Sequence, residues 1–238
     1  MIVLRFLLSL FYWIYLQIAI LLVALLSFPA RLLPNKGRAF IYFLSKFALR
    51  ALFFICFIRV KITGREKLLE HGRSIFLCNK PNMIATFGLI AYFPLRVRIV
   101  AEEKLLKFPV LGRLVKSLGC VASTGKKEDS FVFANAIISS LKGNEPVLFY
   151  PENIRLKGRK VLPFKQTELK LAKIAEASIV PLIVRGSEGV LPEDSAIISP
   201  GKIKITVGSP IALREGGDLG EIARELEAVY KNSLAEVK

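Results

Sequence analysis

The segment from Phe6 to Phe28 carries no charge and is broken only by Ser9, Gln17 and Ser27. At 1.5 Å per residue, a helix of this length reaches about 34 Å, close to the hydrocarbon thickness of a bilayer. Tyr12, Trp13 and Tyr15 stand near its start, where an aromatic belt meets a membrane interface. A secretory leader is the alternative, but the run is long for one and no clear small-x-small cleavage site follows it. A second apolar stretch, Ala39 to Ile58, carries Lys46 and Arg50 four residues apart, hence on one helical face. Two cations on one face argue for a helix at the membrane surface, with its charges snorkelling outward, rather than a second span. Pro29, Pro34 and Gly37 punctuate the link between the stretches, which also carries Arg31, Lys36 and Arg38. If both helices crossed fully, this basic link would lie on the non-cytoplasmic side, against the positive-inside tendency. The expected arrangement is a membrane-embedded two-helix hairpin over residues 1–59, entering from the cytoplasmic face of the cell's inner membrane.

The 35 Lys and Arg outnumber the 19 Asp and Glu, giving a formal net charge of +16. Such an excess attracts polyanions. Beside a hydrophobic hairpin the expected partners are anionic lipid headgroups; no nucleic acid is expected, since no nucleic-acid motif accompanies the charge. Cys56, Cys78 and Cys120 lie in apolar runs without ligand spacing and read as reduced, buried small hydrophobes. His71, in a polar turn beside Gly72, is the only histidine. A multi-His metal site is therefore excluded, and neither a metal nor a bound cofactor is expected.

From residue 60 to 238 short β-rich runs alternate with helical patterns. The strands expected are Phe57 to Thr63, Ser74 to Cys78, Val97 to Ala101, Cys120 to Ser123, Val147 to Tyr150, Ile179 to Val184 and Lys202 to Val207. Helices are expected near Ile84 to Tyr92, Lys104 to Leu118, Glu128 to Leu141 and Lys165 to Ala177. A last one, Leu219 to Ala235, stripes Ile222, Leu226, Val229 and Tyr230 on one face. This alternation implies an α/β domain: a mostly parallel central sheet flanked by helices. Ile179 to Val184 is apolar on both faces, as a central strand must be, yet contains Pro181, which points to an edge or a bulge.

Three segments carry the polar chemistry. "IFLCNKPNMIATFGL", residues 75–89, runs from a strand through the turn Asn79-Lys80-Pro81-Asn82 into a helix, the corner where α/β enzymes keep reactive groups. "VAEEKLLKFPVLGRLVKSLG", from Val100, places Lys104, Lys107, Arg113 and Lys116 around a Pro-x-x-Gly break. These read either as phosphate donors or as a solvated basic face. "LFYPENIRLKGRKVLPFKQTELKLA", from Leu148, carries Glu152, Arg155, Lys157, Arg159 and Lys165; it reads equally as a phosphate-binding loop or an ordinary basic one.

Together these segments resemble the glycerolipid acyltransferase family, in particular the bacterial 1-acyl-glycerol-3-phosphate acyltransferases. "VAEEKLLKFPVLG" matches the stretch between the family's first two motifs, "YPENIRLKGRKVLPFK" its third, and "IVPLIVRG" its fourth. The likeness covers Val60 to Ile211. The family's first motif holds a His and an Asp with four residues between them; here those positions are Lys80 and Ala85. The closing Arg of the second motif falls on or near Gly125, with Lys126 a neighbour. In the third motif Pro151, Glu152 and Arg155 stay, while Asn153 and Ile154 replace Gly and Thr.

The resemblance implies a His that deprotonates a glycerol hydroxyl, an Asp that orients it, and acyl-coenzyme A or acyl-carrier protein as co-substrate. Neutral lysine is roughly 0.04% of the total at pH 7, and a methyl orients nothing. The resulting expectation is an acyltransferase scaffold that is not an enzyme as written, either a natural pseudoenzyme or an inactivated variant. It would still bind lysophosphatidate or acyl donor, with Lys104, Lys126, Glu152, Arg155 and Lys165 as candidates for holding the substrate phosphate. Two alternatives remain: an active 1-acyl-glycerol-3-phosphate acyltransferase using another base, such as Lys80, and a membrane-surface protein that binds anionic lipid.

Overall fold

The structure, a computed structural model, describes residues 2–30, 34–68, 73–79, 82–123, 130–151, 167–192, 194–213 and 218–235. Two long helices open the chain, α1 (Ile2–Ala30) and α2 (Pro34–Ile55). The strands follow as β1 (Ile58–Thr63), β2 (Ser74–Cys78), β3 (Arg98–Glu102), β4 (Val121–Ser123), β5 (Val147–Phe149), β6 (Ser178–Arg185) and β7 (Gly201–Val207). Between and after them come α3 (Met83–Tyr92), α4 (Glu103–Leu106), α5 (Pro109–Ser117), α6 (Ser130–Lys142), α7 (Thr167–Ile174), α8 (Ser187–Val190) and α9 (Leu219–Ala235), with a 3₁₀ turn at Arg65–Leu68.

The strands form one sheet in the order β1-β7-β6-β2-β5-β3-β4. Every pairing is parallel except β6 with β7. All five residues of β2 and all three of β5 are buried, which only a sheet covered on both faces permits. Side chains alternate along β2. Phe76 and Cys78 join the core under α1, α2 and α3, and Ile75 and Leu77 join the core under α6, α7 and α9. The edge strand β1 instead exposes Arg59 and Lys61, charges that discourage edge-to-edge pairing.

Pro181 lies in the central strand β6, and the bulge reading is the one realised. Between the Ile179–Ile211 bridge and the Leu182–Val207 pair, β6 advances three residues while its partner advances four. The extra residue belongs to that partner segment; Pro181, which has no N–H to offer, lies opposite it, and its carbonyl accepts from the Gly208 N–H at 2.8 Å. The single helix expected over Lys104 to Leu118 is two. Pro109 opens α5, and a Cβ on Gly112 would stand 2.3 Å from the Leu106 carbonyl oxygen, so α4 and α5 meet too closely for any side chain there.

The opening helices are not a separate layer. Tyr12 and Leu16 of α1, and Leu49, Leu52 and Phe53 of α2, share one core with Phe76, Ile84, Phe93 and Leu182. The Trp13 indole donates to the Ala196 carbonyl at 2.8 Å, and the Ile198 N–H donates to Ser9 Oγ at 2.8 Å. Lys46 and Arg50 do not snorkel outward. Lys46 Nζ donates to the Phe93 carbonyl at 2.7 Å and Arg50 Nε to the Ala91 carbonyl at 2.8 Å. Those carbonyls belong to the last turn of α3 and its cap, where acceptors are left unpaired and the helix dipole favours cations.

The opposite faces of both helices are apolar and exposed: Val3, Leu7, Leu10, Ile14, Ile18, Leu21 and Leu25 along α1, and Phe40, Phe43, Phe47 and Phe54 along α2. Arg5–Ser27 is, by length and composition, one helix able to cross a membrane.

Phe53 is fully buried and Phe54 is 82% exposed. Phe53→Ala is expected to lower stability by about 3–5 kcal/mol in denaturant unfolding of the detergent-solubilised chain. Phe54→Ala should change it by less than ~0.5 kcal/mol. Equal effects would mean that α2 does not share the core of the sheet.

Candidate active site

Strands β2, β5, β3 and β4 are parallel and so deliver their C-terminal ends to one edge of the sheet, as does β6 beside β2. After β2 the chain moves outward to β3 and β4, returns to β5, then crosses to β6 on the other side of β2. In open α/β sheets ligands bind in the crevice outside the strand ends where the winding reverses, and here that point lies beside β2.

Two asparagines build this corner. Asn79 is fully buried at the end of β2. Its Nδ2 donates to the Val184 carbonyl at 2.8 Å, and its Oδ1 accepts from the Val184 N–H at 2.7 Å. The side chain thus adds one rung to the β2–β6 ladder where the main chain of β2 turns away. Asn82 is the N-cap of α3, its Oδ1 accepting from the Ala85 N–H at 3.3 Å. Its Nδ2 donates to the carbonyls of Ser187 and Leu191, fixing α3 to α8. Gly186 makes that contact possible. Its φ is +82°, and a Cβ would stand 2.3 Å from the Lys202 carbonyl oxygen.

Ala85 lies on the first turn of α3, fully buried in the same core as Phe76 and Phe93. Next to it, Thr86 Oγ1 accepts from the Tyr150 hydroxyl at 3.1 Å. Tyr150 follows β5 and precedes the buried Pro151, so this bond joins the first and third polar segments. Burial pushes the Tyr150 hydroxyl above its ordinary range and the nearby Cys78 adds to this, while the bond to Thr86 works in the other direction. Cys78 is fully buried and its thiol is raised by desolvation, so it is no thiolate nucleophile at neutral pH. Cys120 is pushed up to about 11, mainly by burial.

Lys104 stands on α4, just past the end of β3, and is exposed. Lys80, Lys126, Glu152, Arg155 and Lys165 lie outside the described residues, as does His71. Ser123 and Pro151, from which the segments holding Lys126, Glu152 and Arg155 depart, both stand at this edge. Reading the residues missed the Tyr150–Thr86 bond and the role of α8. An Asn three residues before Ala85 was the available signal for the cap.

Comparison with known proteins follows the same lines. The family model described as Acyltransferase matches residues 59–185. A "1-acyl-sn-glycerol-3-phosphate acyltransferase" of Cocos nucifera is 24% identical over 74% of this chain and 58% of its own length. The protein of the same name from Limnanthes douglasii is 25% identical over 65% of this chain and 55% of its own length. The chain thus spans little more than half of these relatives. The crystal structure of the 1-acyl-sn-glycerophosphate (LPA) acyltransferase PlsC from Thermotoga maritima superposes with a TM-score of 0.82 at 20% identity, covering 99% of this chain and 96% of that one. The shared fold includes the opening helices. These matches overturn the expectation that the chain is not an enzyme. The family is one of acyltransferases and the relatives are named for that reaction, which points to an enzyme.

Asn79→Asp keeps the acceptor but turns an oxygen toward the Val184 carbonyl. It is expected to cost about 1–3 kcal/mol of stability, read from the denaturant midpoint. Tyr150→Phe should cost about 1 kcal/mol, through the lost bond to Thr86.

Proposed function

The chain belongs to the acyltransferase family, and on that premise we propose that it transfers an acyl group from a thioester donor to the free hydroxyl of a 1-acyl-glycerol-3-phosphate. The observation that carries this reading is the match over residues 59–185, whose polar segments leave the sheet at one crevice. The names of the matched relatives support the acceptor, and the net charge of +16 suits an anionic one. In the reaction the acceptor oxygen bonds to the thioester carbonyl carbon and the C–S bond breaks. The hydroxyl proton goes to a base, and the departing sulfur takes up a proton as the free thiol.

Lys80 occupies the position of the family's base, and we assign proton acceptance to its neutral form. Lys104, Lys126, Glu152, Arg155 and Lys165 remain the candidates around the acceptor phosphate, and acyl-coenzyme A or acyl-carrier protein the candidate donors. Residues 1–59 serve as the membrane part of the molecule, lying in the cytoplasmic leaflet with the exposed stripes of α1 and α2 in lipid, while residues 60–238 perform the chemistry. The exposed aromatic row Phe40, Phe43, Phe47 supports that placement.

A thiol-release assay with 1-acyl-glycerol-3-phosphate and acyl-coenzyme A or acyl-carrier protein tests the chemistry. The rate is expected to rise with pH above 7, because lysine accepts a proton only after losing its own. Lys80→Ala should lower it by about 10²–10⁴-fold. Absence of thioester consumption by the unaltered chain at any pH from 6 to 10 would sink the proposal. Separately, Phe43→Asp with Phe47→Asp should abolish co-flotation with liposomes. Unchanged flotation would reject the membrane placement.

A further inference from the structure

A second polar site lies at the other edge of the sheet, where β3 and β5 begin. A cavity of about 150 Å³ is lined by Arg38 and Tyr42 of α2, Arg96 and Arg98 around the start of β3, Leu118 beyond α5, and Glu145 before β5. At about 30 Å³ per water it has room for several waters or one tetrahedral oxyanion. Two of the three guanidiniums share the one carboxylate, which is fully engaged, and the exposed Arg96 lines the cavity beside them. Arg38 Nη1 donates to Glu145 Oε1 at 2.7 Å, and Arg98 Nη2 donates to Oε2. What remains is two positive charges in excess. Arg96 has no carboxylate partner among the described residues, and the Arg98 Nε–H is buried without an acceptor. Like charges gathered around a partly enclosed space repel one another unless an anion sits among them. A buried donor without a partner is likewise costly.

We propose that this cavity binds a phosphate group, held by Arg96 and Arg98 with Arg38 completing the cluster. Guanidinium forks match the oxygens of phosphate, and an excess of two positive charges suits a group carrying up to two negative ones. The site is distinct from the crevice at the C-terminal strand ends. It joins α2 to the start of β3, so an occupant ties the opening helices to the sheet. The phosphate can come from an anionic phospholipid headgroup or from a soluble phosphate compound, and the experiment separates the two.

The full chain in detergent is titrated with inorganic phosphate by calorimetry, and vesicles of phosphatidylglycerol and of phosphatidylcholine are compared by flotation. Arg96→Gln leaves both Glu145 ion pairs in place and removes one of the repelling charges, so its unfolding midpoint without phosphate should be no lower than that of the unaltered chain. Arg59→Gln, on the exposed edge strand, removes an equal charge elsewhere. Phosphate affinity, or the preference for phosphatidylglycerol over phosphatidylcholine, should fall about tenfold in Arg96→Gln and stay unchanged in Arg59→Gln. A fall in phosphate affinity identifies a soluble-phosphate site, and a fall in vesicle preference alone identifies a headgroup site. Equal behaviour of the two variants in both arms overturns the proposal, as does an unaltered chain that neither binds phosphate saturably nor prefers phosphatidylglycerol. None of these readouts depends on acyl transfer, so the outcome is independent of the catalytic reading.

Discussion

Asn79 is a polar side chain with no exposure at all, and it is stable there because both ends of its amide are paired with the main chain of Val184. β2 is central and buried on both faces, so its chain has to leave the sheet where its neighbours are still paired. The amide continues the hydrogen-bonding pattern for one further position while the main chain turns into α3. Asn82 then performs the matching task for the helix, closing the first turn of α3 and binding it to α8. Remove either amide and the main-chain groups of Val184, or of Ser187 and Leu191, lose their partners. The described part of this corner is therefore held by neutral hydrogen bonds rather than by charges.

The same logic extends to the opening helices. A pair of long apolar helices can be a detached anchor or part of the fold, and inward-facing side chains decide between the two. Here Tyr12, Leu52 and Phe53 are fully buried against the sheet, while Lys46 and Arg50 turn to the carbonyls at the end of α3. Cations at that position complement the helix dipole and hold α2 in register with α3. The exposed apolar stripes are left free on the far side. Fold and exposed apolar surface are two faces of the same helices, and the orientation of the crevice edge is tied to that of the stripes.

All seven strands were legible in the residues because central parallel strands are unbroken apolar runs ending in turn residues. Boundaries slipped where the terminating signal was atypical. The helix expected to run to Ala177 stops at Ile174, and Glu176, not a glycine, takes the positive φ of +52° that follows. α8 was missed because four residues carry no periodicity. Of the crevice, the turn at Asn79 to Asn82 could be read as a corner, but not the partner of either amide, since Val184 and Ser187 are about a hundred positions away in sequence. The Arg38–Glu145 pair was beyond sequence reading for the same reason. Tyr150, one hydroxyl beyond a phenylalanine, is recognisable as a bridge only once β5 is placed beside β2.

The substitutions at positions 80 and 85 are physically coherent when taken together. A carboxylate beside a histidine orients the imidazole and stabilises its protonated form after transfer, which is useful because free imidazole is already half-neutral near pH 6.5. The same carboxylate beside a lysine would hold the ammonium protonated and remove it from service as a base. With Ala85 a buried methyl in an apolar core, no anion is supplied from that position of α3. Under the proposed reaction, losing the Asp is the change that a lysine base requires. The opposing influence is the acceptor phosphate, which favours the ammonium. In the proposed reaction the distance between the amine and that phosphate sets which of the two influences prevails.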